Sequence, residues 1–216
     1  MNTIDIPKGW DQVAERIKQD TKLCVVVGKI DSGKSTLCKY LVHTWTASGI
    51  RVGYVDSDLG QSTLGVPATV GLKIFNTPPH ESDYANPAHM HFVGNTAPEG
   101  FLLQMLHAVK TMADKSRQEG SKITLVDTTG FIGGPVARIL KLHKIEMLRP
   151  QWILALQAED EMEHLLSGYE KMGWQVMRLG CSKRVISRSQ TERQKCRSEK
   201  YKAYFRGAKI VECSMH

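Results

Sequence analysis

This sequence predicts an α/β fold with a mostly parallel central sheet flanked by helices, on three observations. Short β-branched runs alternate with helical stretches, the pattern of a parallel sheet covered on both faces. One apolar run, Leu23-Cys24-Val25-Val26-Val27, passes straight into a glycine-containing loop and then into a helical segment. The length of 216 residues, with 41% hydrophobic and 24% charged residues, suits a single domain over residues 1–216 built around one sheet.

In chain order, the strands expected from β-branched runs are Leu23 to Val27, Arg51 to Val55, Ile123 to Val126, Trp152 to Leu156 and Gln175 to Arg178. Two weaker ones fall near Gly71 to Phe75 and His89 to Val93. Helices fill the gaps: Trp10 to Lys18, Lys34 to Ser48, Glu99 to Arg117, Val136 to Met147, Asp160 to Met172 and Gln190 to Arg206. Pro150 ends the fourth of these, because proline disfavours helical geometry in the residue before it. The last begins with a capping box, Ser189-Gln190-Thr191-Glu192, and Gly207 suits its C-terminal stop. The stretch Thr77 to Pro98, with four prolines among polar residues, reads as an excursion from the sheet.

No segment approaches the ~18 uninterrupted apolar residues of a membrane span, and MNTIDIPKGWDQ lacks the basic-then-apolar layout of a secretory signal. A cytoplasmic protein with no membrane partner is expected. The five cysteines, Cys24, Cys38, Cys181, Cys196 and Cys213, form no C-x-x-C pair and have no histidines at zinc spacing, so reduced structural thiols are expected. The charge of +7 is unevenly placed. Cys181 to Ile210 carries ten Lys or Arg against two acids, an excess of +8 that accounts for the whole of it. Such a segment suits the phosphates of a nucleotide or a nucleic acid, although a solvated helix face would carry the same composition.

The strand-loop-helix at Leu23 to Leu41 contains Gly28-Lys29-Ile30-Asp31-Ser32-Gly33-Lys34-Ser35-Thr36, the phosphate-binding P-loop pattern. Gly28 and Gly33 let the backbone N–H groups wrap around phosphates, and the following helix offers its positive end. Lys34 is placed to reach the β- and γ-phosphates, and Ser35 to ligate Mg²⁺. The expected nucleotide-binding set is Gly28, Asp31, Ser32, Gly33, Lys34, Ser35 and Thr36, for ATP or GTP.

Two further motifs bear on the chemistry. Tyr54-Val55-Asp56-Ser57-Asp58-Leu59-Gly60-Gln61 lies at the C-terminal end of a strand, where open α/β sheets bind ligands. Strand alternation puts Asp56 and Asp58 on one face, to serve Mg²⁺ or to take a proton from an acceptor hydroxyl. Leu125-Val126-Asp127-Thr128-Thr129-Gly130-Phe131 ends a second strand, and Asp127 fits the metal-holding Walker B role, with Asp56 as a second metal candidate. The same segment matches the D-x-x-G switch of GTPases. A guanine-reading N-K-x-D is missing, since Gln157-Ala158-Glu159-Asp160 follows the next strand. A GTPase switch, a metallochaperone-like NTPase and a small-metabolite kinase therefore stand as alternatives. In the basic helix, Arg193, Arg197 and Lys200 share one face, with Arg188 just ahead of the cap. Like charges at that spacing call for an anionic counterpart, which a triphosphate would supply.

Together these segments resemble the polynucleotide 5'-hydroxyl kinase family. The resemblance runs through GKIDSGKSTL, YVDSDLGQSTLGVPATVGL, VDTTGFIGGP, ILKLHKIEMLRPQWILALQ and SRSQTERQKCR, in the family's order. It implies transfer of the ATP γ-phosphoryl group to the 5'-hydroxyl of RNA or DNA, with Mg²⁺. By motif, Asp58 is similar to the family's general base and Gln61 belongs to the acceptor site. Thr129, Gly130 and Phe131 correspond to a clasp for the substrate strand, and Arg188, Arg193 and Arg197 to a lid over the ATP phosphates within about residues 181–207. Phe131 stands where the family often has tryptophan; a phenylalanine ring still stacks on a base for ~1–3 kcal/mol. With the P-loop starting at residue 28, the reading is of a minimal kinase core. Protein partners are not indicated.

Overall fold

The computed structural model describes residues 6–182, 184–209 and 211–212. Cys213 lies outside the described residues. The elements in order are α1 (Trp10–Ile17), β1 (Leu23–Gly28), α2 (Lys34–Ala47), β2 (Val52–Ser57), β3 (Thr69–Phe75), a 3₁₀ turn (Glu81–Ala85), β4 (His89–Phe92), α3 (Leu102–Gln118), β5 (Ile123–Thr128), α4 (Gly134–Leu148), β6 (Trp152–Gln157), α5 (Glu163–Lys171), β7 (Val176–Gly180) and α6 (Gln190–Tyr204). The strands form one sheet ordered β4-β3-β2-β5-β1-β6-β7. Each predicted helix and strand is present, with ends that coincide or shift by at most three residues. The sheet is mostly parallel, as expected, with one antiparallel edge: β3 pairs antiparallel to β2, and β4 antiparallel to β3.

The sheet buries both faces, which is why its central strands read as continuous apolar runs. Cys24 and Val26 of β1 point to one side, against Leu37, Leu41 and Trp45 of α2 and Trp10 and Ile17 of α1. Val25 and Val27 point to the other, among residues of α3, α4 and α5 such as Met105, Leu140 and Leu166. The indole N–H of Trp45 donates to the Ala14 carbonyl at 2.9 Å, tying the first two helices together. The proline-rich excursion is anchored. Tyr84 of the 3₁₀ turn is buried edge-on against Tyr54, with ring centroids 5.8 Å apart, and tilted against Phe75 at 5.0 Å.

Strand order decides where a site can form. β1, β2, β5 and β6 run parallel, and β1 sits between β5 and β6. The loops that leave the C-terminal ends of β1, β2 and β5 therefore converge at one edge of the sheet. The register sets Asp56 opposite Asp127. Among the described residues no helix is long and apolar enough to cross a membrane.

Candidate active site

The P-loop takes its shape from glycines where a side chain has no room. A Cβ on Gly28 would lie 2.6 Å from Ser32 Oγ and 2.8 Å from the Leu156 carbonyl. Gly33 caps α2 in the left-handed region at φ 92°, which favours glycine. Asp31 is also left-handed, at φ 54°. Lys34 is buried and donates to the Lys29 carbonyl at 2.7 Å, which folds its ammonium over the loop.

Asp127, at the end of β5, accepts from Ser35 Oγ at 2.6 Å and from the Tyr54 hydroxyl at 3.2 Å through one oxygen, Oδ2. Its other oxygen, Oδ1, is buried with no partner among the described residues. A buried carboxylate oxygen left unpaired is costly, and this one sits beside the P-loop serine. The pair suits a hard divalent cation that takes oxygen ligands. Burial raises the Asp127 carboxyl above its ordinary range, against the pull of the Lys34 charge and the Ser35 hydrogen bond.

The Asp56 carboxylate, the second metal candidate, is taken up by the chain itself. Its Oδ2 accepts from Leu64 N at 2.9 Å, from Ser62 Oγ at 3.3 Å and from Thr63 N at 2.5 Å, while Oδ1 accepts from Asp58 N at 3.0 Å. These bonds fold the loop after β2 around a buried carboxylate. Burial first, then the neighbouring Asp127 charge, pushes the Asp56 carboxyl up to about 7. β2 ends at Ser57, so Asp58 lies in the loop and strand alternation does not extend to it. Asp58 Oδ1 accepts from Gly60 N and Gln61 N, each at 3.0 Å, and among the described residues Oδ2 takes no hydrogen bond.

One open cavity of about 770 Å³ is lined by Lys34, Ser35 and Thr36 of the P-loop, Asp58 and Gln61 of the β2 loop, and Arg188 ahead of α6. Sequence-predicted residues of the donor and acceptor sides thus share one space with Arg188, whereas Arg193 and Arg197 do not line it. The clasp residues are placed beside it. Thr129 and Gly130 are buried, and a Cβ on Gly130 would lie 2.5 Å from Ile30 N and Cα, so the clasp packs directly on P-loop backbone. Phe131 is half-buried on the apolar layer that β5 shares with α3, α4 and α5, so only part of its ring is free to stack.

The lid helix has the predicted capping box, with Ser189 Oγ accepting from Glu192 N at 3.2 Å. No α6 residue is buried. Its basic face is half-buried at Arg193, Arg197 and Lys200, and one of these charges, Arg193, has its anion in the chain itself. Arg193 forms an ion pair with Asp31 Oδ2, which also accepts from Arg188 N at 3.1 Å and Ser187 Oγ at 3.3 Å. The Asp31 side chain, expected to serve the nucleotide, lines the same cavity and also fastens α6 to the P-loop. Further along, Lys200 donates to the Ser62 carbonyl, and the Tyr201 hydroxyl to the Pro67 carbonyl at 3.1 Å. The lid therefore also grips the loop that follows Asp58.

Sequence reasoning missed two residues beneath the site. Lys141 and Lys144 of α4 are each 1% exposed. The family model described as mRNA cleavage and polyadenylation factor CLP1 P-loop matches residues 28–207, from Gly28 through the whole of the lid. The chain belongs to the CLP1 P-loop family. It is 35% identical over 211 residues to a polyribonucleotide 5'-hydroxyl-kinase of Pyrococcus horikoshii, covering 97% of this chain and 57% of that protein. A Thermococcus kodakarensis protein of the same description is 36% identical, covering 98% of this chain and 60% of that one. A Methanocaldococcus jannaschii relative, also so described, is 35% identical over 96% and 57%. The chain thus spans under two thirds of the length of these curated relatives. The fold is that of the wild-type Clp1p–Pcf11p complex structure, at TM-score 0.68 and 15% identity over 94% of this chain and 54% of that one.

Proposed function

We propose that this CLP1-family chain transfers the γ-phosphoryl group of ATP to the 5'-hydroxyl of a polynucleotide, with RNA the first acceptor to test. The observation that carries the reading is the single cavity shared by Lys34 and Ser35, by Asp58, and by Arg188. A switch GTPase has no need of an acceptor carboxylate there. The archaeal relatives' descriptions as polyribonucleotide 5'-hydroxyl-kinases support the same acceptor class.

In this reading Asp58 is the base. Its Oδ1 is held by the Gly60 and Gln61 amides, which leaves Oδ2 to accept the acceptor hydroxyl's hydrogen bond and then its proton. The P-loop amides and Lys34 hold the β- and γ-phosphates, and Arg188, Arg193 and Arg197 supply positive charge from the lid. Ser35 and the unpaired oxygen of Asp127 would hold Mg²⁺, which when bound draws charge from the phosphate oxygens. Catalysis is then positioning and electrostatics rather than covalent chemistry. Cytoplasmic action agrees with the free thiols at Cys24, Cys38, Cys181 and Cys196.

The test is incubation with γ-labelled ATP and 5'-hydroxyl oligonucleotides, as RNA and as DNA, single- and double-stranded. Label at the 5' end of at least one acceptor is expected. Hydrolysis of GTP indifferent to oligonucleotide would favour a switch, and label on nucleosides but no oligonucleotide would favour a small-metabolite kinase.

A further inference from the structure

The two buried lysines of α4 touch no carboxylate among the described residues, although the charges of Asp58 and Asp127, and at Lys144 also Asp56, act on them from a distance. The face that α4 turns to the sheet is Ala137, Leu140, Lys141, Lys144, Ile145 and Leu148, so both ammonium groups are carried into the interior in phase with apolar residues. Among the described residues neither meets a carboxylate within ion-pair distance. An ammonium taken out of water without a counter-ion is expensive, and an apolar side chain of equal length would suit the fold at least as well. Their hydrogen bonds say what they hold.

Lys141 Nζ donates to Thr128 Oγ1 at 2.8 Å and to the Thr129 carbonyl at 2.6 Å. Thr128 Oγ1 in turn donates to the Val26 carbonyl of β1 at 2.8 Å. Lys144 Nζ donates to Ser57 Oγ at 3.1 Å, and Ser57 Oγ to the Asp127 carbonyl at 2.6 Å. The residues fastened are thus the last of β2, next to Asp58, and those entering the Thr129-Gly130-Phe131 turn from β5. On its other side that turn rests on Ile30 through Gly130. The turn is held between a buried ammonium and the P-loop.

We infer that Lys141 and Lys144 are positioning residues for the phosphoryl acceptor: Lys141 fixes the clasp through the Thr129 carbonyl, and Lys144 fixes the base of the Asp58 loop through Ser57. Neither touches the reacting atoms. The inference concerns the acceptor side and rests on the kinase reading for its kinetic consequence, but not for its structural one. Burial draws both ammonium groups down, Lys144 to about 8, in keeping with sites kept dry on all sides. The acceptor strand then meets a clasp whose backbone is preset, so little ordering cost is left for binding.

The test uses the full chain with Lys141→Met and Lys144→Met, read by amide hydrogen exchange and by steady-state kinetics. For Lys141→Met, amides 128–132 are expected to exchange about tenfold faster while P-loop amides 28–36 are unchanged. The KM for a 5'-hydroxyl oligonucleotide rises about tenfold, with the KM for ATP within about twofold of wild type. Lys144→Met lowers kcat about tenfold and speeds exchange at 57–61, and it carries the test if the first variant does not fold. Unchanged exchange at these amides would overturn the inference, as would a parallel loss of ATP affinity and melting temperature, the mark of ordinary core residues. If wild type labels no oligonucleotide, the kinase reading falls and the exchange data still decide the role of the lysines.

Discussion

The two halves of the cavity are built by different means. In the proposed reading the donor half is backbone held by glycine: Gly28 and Gly33 shape a loop whose amides would face phosphate, and few side chains beyond Lys34 and Ser35 are specified. The acceptor half is held by buried polar side chains that never reach the substrate. Asp56 gathers three loop amides, and Lys141 and Lys144 fasten the ends of β5 and β2. Buried polar networks are costly when half-satisfied, so the acceptor half is the more vulnerable to changes away from its contact surface.

The sharpest way to separate the halves is to remove one chemical group from each. Asp58→Asn leaves the loop's backbone contacts available and removes the proton acceptor. It should lower kcat by about 10²–10⁴ while nucleotide affinity, followed by calorimetry, stays near wild type. Lys34→Ala should weaken both nucleotide affinity and transfer. Near-normal kcat in Asp58→Asn would mean the base has been wrongly assigned.

Gly130→Ala strikes the seam between the halves. Its Cβ would meet Ile30 backbone at 2.5 Å, with no flexible side chain to give way. A loss of about 1–3 kcal/mol by chemical denaturation is expected, with the KM values for nucleotide and oligonucleotide rising together. If only one moved, the seam would not couple them.

Asp31→Ala loosens the lid from the donor side. It removes the partner of Arg193 and the acceptor for Arg188 N and Ser187, groups that are partly exposed. Exchange at amides 187–193 should quicken by close to tenfold, about 1.5 kcal/mol, with the sheet unaffected. The smallest effect is expected far from both halves, at Glu163→Gln. Hydrogen bonds from Arg178, then Gln157, hold the Glu163 carboxyl down at about 2. A carboxyl lowered by folding stabilises above its ordinary range and loses that stabilisation as pH falls through it. The stability gap to wild type, followed by chemical denaturation, should be small at pH 7, under about 1 kcal/mol for so exposed a cluster, and should close by about pH 2.

Much of this was legible in the sequence because it rests on local rules. The P-loop, the strand that feeds it and the capping box of α6 each depend on residues within one turn or one strand of each other. The shared face expected for Asp56 and Asp58 fails because strand periodicity was carried one residue past the end of β2, to Asp58, and nothing local says that the Asp56 carboxylate will gather the loop at 58–64. Lys141 and Lys144 were passed over because lysine is ordinarily a surface residue. The signal was present: both lie in helical phase with Ala137, Leu140, Ile145 and Leu148, whereas Ile139, out of phase, is 48% exposed. The antiparallel edge at β3 and β4 is a matter of chain reversal across a proline-rich stretch, which periodicity does not encode. The pairing of Asp31 with Arg193 was not legible, because the two lie 162 residues apart.

The position of β1 in the sheet has a consequence for how the molecule is made. β2 and β3 have each other as partners once residue 75 has been synthesised, and β4 joins them by residue 92. β1 precedes all three, yet its neighbours are β5, complete at residue 128, and β6, complete at residue 157. Ser35 waits 92 residues for Asp127. During synthesis, then, the nucleotide loop leaves the ribosome early and is given its flanking strands late, so a nascent chain stopped before β5 would hold the motif with no neighbouring strand on either side of β1.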